Sequence, residues 1–453
     1  MKLDIIILAA GQGSRMYSNL PKVLHRVAGQ PMLARVIGCA RALSPHHIHV
    51  VVGYGAEEVK AVTQDDSIRW WYQAEQQGTG HAVQQALPGL QEDHAVLVLY
   101  GDVPLLAPAT LQAVIRELPG KDLVLLSAEL ADPSGYGRIV RDAQGRVLRI
   151  AEEQDADPQT LGIREVNTGV LATRSALLKQ WLAGIETGNA QGEYYLTDCI
   201  GLAVTGGYRV EAMVCENAEE VLGVNDKHQL MQAERICQRR TADQLMALGV
   251  TLLDPGRVDV RGDLVTGRDV VIDVNTVFEG NNCLGDRVSI GANSILVNTS
   301  VGNGTRIHPN CHIENAVIGS DCSLGPYARI RPGTRLADDV RIGNFVEIKK
   351  SDIRTGSKIN HLSYVGDADV GEQVNVGAGV ITCNYDGSRK HRTVIGNRVF
   401  VGSDTQLVAP VAIGDGATIG AGSTITKNAP GDTLTLARSK QVSIKHWKRP
   451  EKE

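Results

Sequence analysis

The chain has 453 residues, which at roughly 100 to 200 residues per domain predicts two or three domains, each able to bury a core of its own. It carries 46 Lys and Arg against 51 Asp and Glu, a net charge of -5, and neither sign forms a long block. This balance argues against disorder and against a polyanion-binding surface, so no nucleic-acid partner is expected. The 49 glycines beside 3 Phe, 4 Trp and 11 Tyr favour a fold with many tight turns.

The cysteines and the N-terminal residues restrict the cellular setting. The 8 cysteines form no Cys-x-x-Cys pair, which argues against a zinc site and a secreted disulfide framework and predicts buried, reduced thiols. The first apolar stretch, Ile5 to Ala10, is too short for a signal sequence, and no run approaches the roughly 18 apolar residues of a membrane span. We therefore expect a soluble, cytoplasmic protein without stable membrane association.

Residues 1–226 alternate short β-branched runs with helical stretches. Leu3 to Ala9 and Ala95 to Tyr100 are typical strands, and Pro108 to Leu118 is a typical helix. The alternation predicts a mostly parallel, Rossmann-like α/β sheet whose ligands gather at the carboxyl ends of the strands. Asp226 is expected to cap a linker helix over 227–248, before a second domain at 249–453.

After about residue 262 the sequence changes to a six-residue repeat. Apolar residues recur at every sixth position in two unbroken runs, Ile318 to Ile348 and Ile395 to Ile425, and Gly often follows. One inward aliphatic per short strand is the pattern of a parallel β-helix built from hexapeptides. The tract resembles the left-handed β-helix domains of acyltransferases. Such helices also serve as trimerisation scaffolds, so the repeat alone leaves catalysis and assembly as alternatives.

A glycine-rich loop follows the first strand. Gly11 and Gly13 allow backbone amides to approach phosphates, while Arg15 and Lys22 supply a guanidinium and an ammonium. The third residue after Gly13 is Met16, so the dinucleotide fingerprint is incomplete and a nicotinamide-binding site is not predicted.

The loop and five later strings resemble the sugar-1-phosphate nucleotidylyltransferases. The later strings are Gln73 to His81, Tyr100 to Pro104, Gly135 to Arg138, Asn167 to Gly169 and Gly192 to Asp198. Asp102 follows an apolar strand, where a carboxylate can hold Mg²⁺ against phosphates, and the resemblance implies that Asp102 and Asn225 bind this metal. It assigns the nucleotide and sugar contacts, which for the bifunctional family named below are contacts to UTP and UDP-N-acetylglucosamine, to Leu8, Ala9, Ala10, Gly11, Lys22, Gln73, Gly78, Thr79, Tyr100, Gly101, Asp102, Gly137, Glu152, Asn167 and Asn225.

The chemistry expected at this first site is in-line nucleotidyl transfer. The sugar phosphate attacks the α-phosphorus of a nucleoside triphosphate and pyrophosphate leaves. Positioning and charge neutralisation by Mg²⁺, Arg15 and Lys22 are expected to carry the reaction.

A second candidate site lies where the six-residue rhythm breaks, at 348–370 and again at 376–395. Breaks in a solenoid mark loops, where functional residues tend to lie. The first break contains His361, a natural general base at neutral pH for an amine that attacks a thioester. Arg331 and Lys349 supply the cations that a sugar phosphate needs.

Together the two sites resemble a bacterial family of bifunctional enzymes that join N-acetylglucosamine-1-phosphate uridylyltransferase to glucosamine-1-phosphate N-acetyltransferase, over about residues 3–448. The resemblance implies His361 as the proton acceptor. It assigns sugar-phosphate contacts to Arg331, Lys349, Tyr364 and Asn375. It assigns acetyl-CoA contacts to Ala378, Asn384, Tyr385, Ser403, Ala421 and Arg438.

The same resemblance implies a homotrimer, with each acetyl-transfer site built between neighbouring β-helices. Acetyl-CoA would acetylate glucosamine 1-phosphate, and UTP would then donate UMP to the product. The expected final product is UDP-N-acetylglucosamine, which feeds peptidoglycan and lipopolysaccharide synthesis.

Two other classes of protein, a different nucleotidylyltransferase and a non-catalytic sensor, fit part of the sequence. In a hexose-1-phosphate adenylyltransferase the β-helix would only assemble subunits, but a scaffold has no need of His361, Tyr364 and Asn384. A non-catalytic sensor would keep sugar-nucleotide binding alone, and the intact Lys22 and Asp102 argue against that class.

Overall fold

The computed structural model describes residues 2–63 and 65–450. It divides into a first compact unit that ends at Cys237 and a second that begins at Gln238. This division lies within a helix, Lys227–Ala247, whose first turn is capped by the Asp226 carboxylate accepting from the Gln229 amide at 2.8 Å. The domain boundaries at 226 and 249 stay a prediction. Within the described residues, no helix combines the length and apolarity needed to cross a membrane.

The first unit is built on one mixed sheet flanked by helices. The strands of the unit are β1 (Leu3–Ala9), β2 (Arg26–Val27), β3 (Gln30–Pro31), β4 (His47–Val52), β5 (Ile68–Tyr72), β6 (Ala95–Tyr100), β7 (Leu123–Glu129), β8 (Arg138–Arg141), β9 (Val147–Ala151), β10 (Glu165–Arg174) and β11 (Val210–Val214). Strands β2 and β3 pair only with each other, apart from the mixed sheet. The helices of the chain are α1 (Met32–Arg41), α2 (Ala56–Thr63), α3 (Thr79–Ala86), α4 (Pro108–Glu117), α5 (Pro158–Leu161), α6 (Ser175–Leu182), α7 (Asp198–Thr205) and α8 (Lys227–Ala247).

The strand order of the central sheet places the ligand crevice. The order is β11-β7-β10-β6-β1-β4-β5, with β10 antiparallel to its neighbours and the other pairs on this path parallel. Strand β1 pairs with β4 on one side and β6 on the other, so the chain order reverses there. Helices cover both faces, and Ile5, Ile6 and Ile7 are therefore all fully buried. The predicted mostly parallel α/β sheet is confirmed.

The second unit consists of short strands that stack in parallel. They are β12 (Thr251–Leu252), β13 (Val258–Thr266), β14 (Val271–Ile272), β15 (Thr276–Leu284), β16 (Ser289–Ile290), β17 (Ile295–Val297), β18 (Ser300–Val301), β19 (Arg306–Ile307), β20 (His312–Glu314), β21 (Val317–Ile318), β22 (Ser323–Leu324), β23 (Arg329–Ile330), β24 (Arg335–Leu336), β25 (Arg341–Asn344), β26 (Glu347–Lys349), β27 (Asp352–Ile353), β28 (Lys358–His361), β29 (Tyr364–Gly366), β30 (Ala368–Val370), β31 (Asn375–Val376), β32 (Ile381–Cys383), β33 (Thr393–Ile395), β34 (Phe400–Val401), β35 (Gln406–Val408), β36 (Val411–Ile413), β37 (Thr418–Ile419), β38 (Thr424–Ile425) and β39 (Leu434–Thr435).

These strands form the expected left-handed parallel β-helix. Equivalent positions on successive coils are mostly 17 or 18 residues apart, which is about three hexapeptides. The aliphatic residues at every sixth position point inward and are buried, from Ile318 to Ile348 and from Ile395 to Ile425. The β-helix core therefore comes directly from the sequence repeat.

The sequence predicts that the glycines of the repeat form turns. In the structure some of them have a steric role instead. A Cβ on Gly319 would lie 2.6 Å from backbone of the next coil, and one on Gly402 would lie 2.5 Å from it. Several left-handed corners are instead occupied by asparagine, as at Asn275, Asn293 and Asn310 with φ of 57°, 59° and 63°. Glycine is thus needed at Gly319 and Gly402 because neighbouring coils approach closely there.

The second predicted break in the repeat is an inserted loop. Asn375 pairs with Phe400, a longer step than elsewhere, because the chain leaves the helix between Cys383 and Thr393. Tyr385 bridges to Lys390 within this loop, and Asp386 pairs with His391 at 2.6 Å. The loop is therefore folded on itself. Cys283 is exposed and Cys383 is half-buried, so the prediction that the cysteines are buried is wrong for Cys283 and only partly correct for Cys383.

Candidate active sites

The first unit contains a cavity of about 460 Å³ at the carboxyl ends of its central strands. Its walls come from the end of β1, the segment after β5 and the end of β6, as expected for a parallel sheet. The structure brings together these predicted contacts: Leu8, Ala9, Ala10, Gly11, Lys22, Gln73, Gly78, Thr79, Tyr100, Asp102, Gly137, Glu152, Asn167 and Asn225.

Lys22 joins the two predicted metal ligands. Its ammonium forms an ion pair with the Asp102 carboxylate and donates to the Asn225 side-chain oxygen at 3.1 Å. The Val224 amide donates to the Asp102 carbonyl at 2.9 Å, which holds the Asn225 segment against the end of β6. The Asp102 carboxylate and the Asn225 amide oxygen thus both face the Lys22 ammonium. Hard oxygen donors of this kind fit a divalent cation.

A buried polar wall closes another side of the cavity. The Thr197 hydroxyl donates to Glu152 at 2.8 Å. Burial raises the pKa of the Glu152 carboxyl above its ordinary value, and the hydrogen bond from Thr197 opposes that shift. Burial also raises the pKa of the Tyr100 phenol, which therefore stays a neutral hydroxyl. This wall therefore presents the hydroxyls of Tyr100 and Thr197 and the carboxyl of Glu152 as hydrogen-bonding groups.

Two glycines shape the wall because no side chain fits at their positions. Gly78 has φ +106°, and a Cβ there would lie 2.6 Å from the Tyr194 carbonyl oxygen. Gly169 has φ +83°, and its Cβ would lie 2.4 Å from the Tyr100 ring. The left-handed backbone and the lack of space both exclude larger residues.

Two predicted residues of this site lie outside the cavity lining. Arg15 is exposed on a short 3-10 turn, Ser14–Met16, beyond the glycine loop. Gly101 is buried behind the wall, where its amide donates to the Leu8 carbonyl at 2.9 Å. The substrate contacts assigned to Arg15 and Gly101 stay predictions.

Sequence reasoning gave no role to several residues that line the cavity. Tyr136 is one of them, and its hydroxyl accepts from the Gly223 amide at 3.2 Å. Others are Gln191, Glu193, Tyr195 and Thr197. Most of these lie inside the strings quoted above, which marked the segments without identifying the side chains that face the cavity.

In the second unit, His361 lies beside Asn344 on the neighbouring coil. The two residues are paired in register between β25 and β28, and His361 Nδ1 is 3.0 Å from Asn344 Oδ1. An oxygen acceptor at Nδ1 places the imidazole proton there, so Nε2 carries the lone pair. The ring is exposed at the surface of the β-helix. This arrangement suits a general base.

A buried carboxylate organises the predicted sugar-phosphate residues. Asp367 accepts from the Asn384 side chain at 2.5 Å and pairs with Lys349 at 3.3 Å. Asn384 also donates to the Tyr364 hydroxyl at 3.3 Å. The coil spacing of 17 to 18 residues, applied to Asn384 and Lys349, would have identified Asp367 from the sequence.

Further cations lie beside this cluster. Arg331 pairs with Glu347 at 2.8 Å. Lys390 lies beside Lys349, and its contact with the Lys349 ammonium lowers the pKa of Lys390. Lys390, which the sequence analysis missed, thus adds a donor suited to a phosphate group. Asn375 is half-buried on β31, facing Phe400 of the next coil.

Four of the predicted acetyl-CoA residues, Ala378, Ser403, Ala421 and Arg438, form a column along successive turns that is half-buried at Ala378 and exposed at the other three, whereas Asn384 is buried against Asp367. The Asp404 amide donates to Ala378 at 2.7 Å, the Gly422 amide to Ser403 at 2.9 Å, and the Arg438 guanidinium to Ala421 at 2.8 Å. The column begins beside the base, because the amide of Gly379 donates to the His361 carbonyl at 3.3 Å. Tyr385 projects from the inserted loop and is 60% exposed.

Comparison with known families gives three matches. The MobA-like NTP transferase domain matches residues 5–159, the GMPPB C-terminal domain matches 260–353, and six repeats of the bacterial transferase hexapeptide match 392–427. The fold and the two sites therefore define a nucleotidyltransferase joined to a hexapeptide-repeat acyltransferase.

Curated relatives match over the whole chain. "Bifunctional protein GlmU" of Aromatoleum aromaticum is 56% identical and covers 100% of this chain and 99% of the relative. The proteins of the same name from Azoarcus sp. and Chromobacterium violaceum are 56% and 55% identical over 100% of this chain and 100% and 99% of the relatives. The chain belongs to the family of bifunctional GlmU proteins. It is a bifunctional enzyme of UDP-N-acetylglucosamine biosynthesis with acetyltransferase and uridylyltransferase activities.

Proposed function

We propose that the cavity of the first unit binds UTP and N-acetylglucosamine 1-phosphate and transfers UMP, with Mg²⁺ held by Asp102 and Asn225. The observation that carries this assignment is the convergence of Lys22, Asp102 and Asn225 at one point of the cavity. Mg²⁺ bound there would neutralise charge on the triphosphate during in-line displacement.

The chain's own residues then position the reactants. The exposed backbone of Gly11, with open space where a Cβ would lie, lets phosphate oxygens approach the end of β1. Lys22 acts as a point charge that leaves its carboxylate partner when a stronger cation and the phosphates arrive. Gln73, held by contacts to Gly78 and His81, offers a fixed amide to the nucleotide.

In the second unit, we propose that His361 is the base for acetylation of glucosamine 1-phosphate by acetyl-CoA. Its Nε2 lone pair accepts a proton from the amine as nitrogen attacks the thioester carbonyl and CoA sulfur leaves. Arg331 and Lys349, with Tyr364 and Asn375, hold the sugar phosphate. The acetyl-CoA contacts are then made by Ala378, Asn384, Tyr385, Ser403, Ala421 and Arg438.

We propose that the active form is a homotrimer. The base and the acetyl-CoA column are exposed on a single chain, so a neighbouring β-helix is needed to cover them. A second exposed column of Tyr327, Phe345 and Leu362 stands beside His361, 52%, 55% and 64% exposed, and the first two rings stack at 5.2 Å. Apolar columns of this kind favour burial against another subunit. Sedimentation of the full chain tests the stoichiometry, and a monomer at assay concentrations would contradict it.

The proposed reaction order is acetylation first and uridylyl transfer second, with UDP-N-acetylglucosamine supplied to peptidoglycan and lipopolysaccharide synthesis. The partners are then small molecules and two further copies of the chain. A cytoplasmic location follows for this proposal, because UTP and acetyl-CoA are its co-substrates.

One mixed assay tests the assignment of the two sites. The full chain is incubated with glucosamine 1-phosphate, acetyl-CoA, UTP and Mg²⁺, and the release of CoA and pyrophosphate is followed in the same tube. Asp102→Ala should abolish pyrophosphate release and leave CoA release intact. His361→Ala should abolish CoA release, and added N-acetylglucosamine 1-phosphate should then restore pyrophosphate release. A normal rate of the assigned reaction in either variant would refute that assignment.

A further inference from the structure

A cluster of histidines surrounds a buried carboxylate at the edge of the first unit's sheet opposite the nucleotide cavity. Asp4 lies near the amino end of β1 and is 0% exposed. His46 and His47 lie at the amino end of β4, and His94 directly precedes β6. Since β4, β1 and β6 are parallel neighbours, their amino ends meet at this edge. None of these four residues takes part in either active site described above.

Donor atoms of the cluster lie close together. His94 Nδ1 is 2.8 Å and His46 Nδ1 is 3.7 Å from the two oxygens of Asp4. The ligand atoms of Asp4, His46 and His94 all lie within 4.8 Å of one another. Nitrogen and oxygen ligands about 2.0–2.1 Å from one tetrahedral Zn²⁺ have mutual separations in this range.

Hydrogen bonds from neighbouring groups determine which histidines of the cluster can be metal ligands and which can only support them. Arg69 donates to His47 Nε2 at 2.7 Å, so the His47 proton resides on Nδ1, 3.3 Å from Asp4. Trp71 donates to His49 Nδ1 at 2.9 Å, which places the His49 proton on Nε2. In these states neither ring offers a lone pair to the cluster. His47 Nδ1–H faces Asp4, and His49 Nε2–H is buried without a hydrogen-bond partner among the described residues.

The two remaining histidines, His46 and His94, differ in where their protons lie before a metal binds. His94 Nδ1 is 2.8 Å from an Asp4 oxygen, so the His94 proton resides on Nδ1 and is donated to Asp4. Without a metal, His47 Nδ1–H can donate a hydrogen bond to His46 Nδ1, which is 2.8 Å away. When a metal binds the His46 lone pair, His47 Nδ1–H can donate to Asp4 instead. His94 presents its other nitrogen, Nε2, toward Asp93 at 3.8 Å. A metal ion at Nδ1 would displace the Nδ1 proton, because a ligating nitrogen must be deprotonated, and the Asp93 carboxylate would then support a proton on Nε2.

The backbone around the cluster is held in place. The His46 amide donates to the Leu3 carbonyl at 2.7 Å, and the Ala95 amide donates to the Lys2 carbonyl at 2.9 Å. The His94 carbonyl accepts from the Ser175 amide at 3.0 Å. The three segments that carry the ligands are thus tied together before any ion binds, which lowers the entropy cost of forming a site.

We propose that Asp4, His46 and His94 form a binding site for a divalent first-row transition metal ion. Two imidazoles and one carboxylate are a ligand set that suits Zn²⁺ or Fe²⁺ better than Mg²⁺. His46 also lines a cavity of about 680 Å³ with Ser44 and Gln112, from which water can complete the coordination. His47, oriented by Arg69, is the positioning residue that donates to Asp4.

The test is Zn²⁺ titration of the full chain by calorimetry, carried out on Asp102→Ala so that the proposed nucleotide metal site does not contribute. We expect one saturable equivalent per chain. His46→Ala, at an exposed position unlike Asp4, should remove that equivalent without unfolding the chain. His47→Gln should weaken affinity about 10- to 100-fold, as expected for loss of a partner that orients a ligand. His228→Ala, at an exposed histidine on α8, is the matched control and should leave binding unchanged.

A second measurement covers variants that fold poorly. Co²⁺ added in place of Zn²⁺ should give the visible absorption of a low-symmetry nitrogen and oxygen site in the parent, and this absorption should be lost in His46→Ala and kept in His228→Ala. The proposal would be overturned if the Asp102→Ala protein bound no saturable Zn²⁺. It would also be overturned if adding His46→Ala to that protein left the isotherm unchanged. Because uridylyl transfer is not the readout, this result is independent of the proposed function.

Discussion

The pairing of Asn344 with His361 leads to a quantitative expectation for acetyl transfer. A neutral hydrogen bond of the kind seen here, at 3.0 Å, contributes about 0.5–1.5 kcal/mol. Since about 1.4 kcal/mol corresponds to a factor of ten in rate, Asn344→Ala should slow acetyl transfer by about two- to tenfold. His361→Ala removes the proposed base itself and should cost about 10²- to 10⁴-fold.

The two losses are separable because Asn344 acts only by orienting the imidazole. Initial rates of CoA release, measured over a range of both substrates, should show a lower kcat for Asn344→Ala with little change in KM. Pyrophosphate release from added N-acetylglucosamine 1-phosphate provides an internal reference for folding and should be unchanged. An unaltered kcat in Asn344→Ala would refute the orienting role, and a loss as large as that of His361→Ala would mean that Asn344 contacts the reacting atoms.

Three further expectations concern packing and burial. Gly169→Ala forces a side chain into a left-handed backbone against Tyr100, so it should destabilise the first unit by about 1–2 kcal/mol or more and lower uridylyl transfer, as measured by thermal unfolding and pyrophosphate release. Ile348→Ala should destabilise the β-helix by about 2–5 kcal/mol, because the side chain is fully buried. Val394→Ala, at an exposed position, should change the stability by about 0.5 kcal/mol or less. Equal effects of the two substitutions in denaturant titrations would contradict the inward orientation of Ile348. Burial raises the pKa of Glu152 in the folded protein, so the stability that its neutral form contributes is lost as pH rises through that raised pKa. Glu152→Gln should therefore be more stable than the unsubstituted protein, by a margin that grows from acid toward neutral pH. A margin that stays constant in thermal melts over this pH range would contradict the expectation.

The repeat and the elements of both halves could be read from the sequence because their causes are local. An aliphatic residue at every sixth position, as from Ile318 to Ile348, can be buried only if each short strand turns it inward. The glycine loop after β1 predicts a phosphate-binding edge because parallel strands end together. The ordered strings identified the family and most of the cavity lining.

The positions of individual side chains could not be obtained in this way. Lys22 meets Asp102 and Asn225 across 80 and 203 residues of chain, and no local pattern encodes that contact. Arg15 belongs to the loop signature, yet its backbone turn leaves the side chain exposed outside the cavity. Strand order and loop conformation decide such cases, and both depend on the packing of the whole unit.

Residue spacing in the β-helix is an intermediate case. Once coils of 17 or 18 residues are known, Asn344 is expected beside His361 and Asp367 beside Asn384, although the sequence analysis assigned no role to Asn344 or Asp367. The alternation of strands and helices and the six-residue repeat thus predicted the two folds, and the family resemblance of the ordered motifs supplied the two reactions. Only the tertiary structure decided that Asp4 meets His46 and His94, because a sheet joins residues that are distant in the chain by hydrogen bonds between strands rather than by sequence proximity.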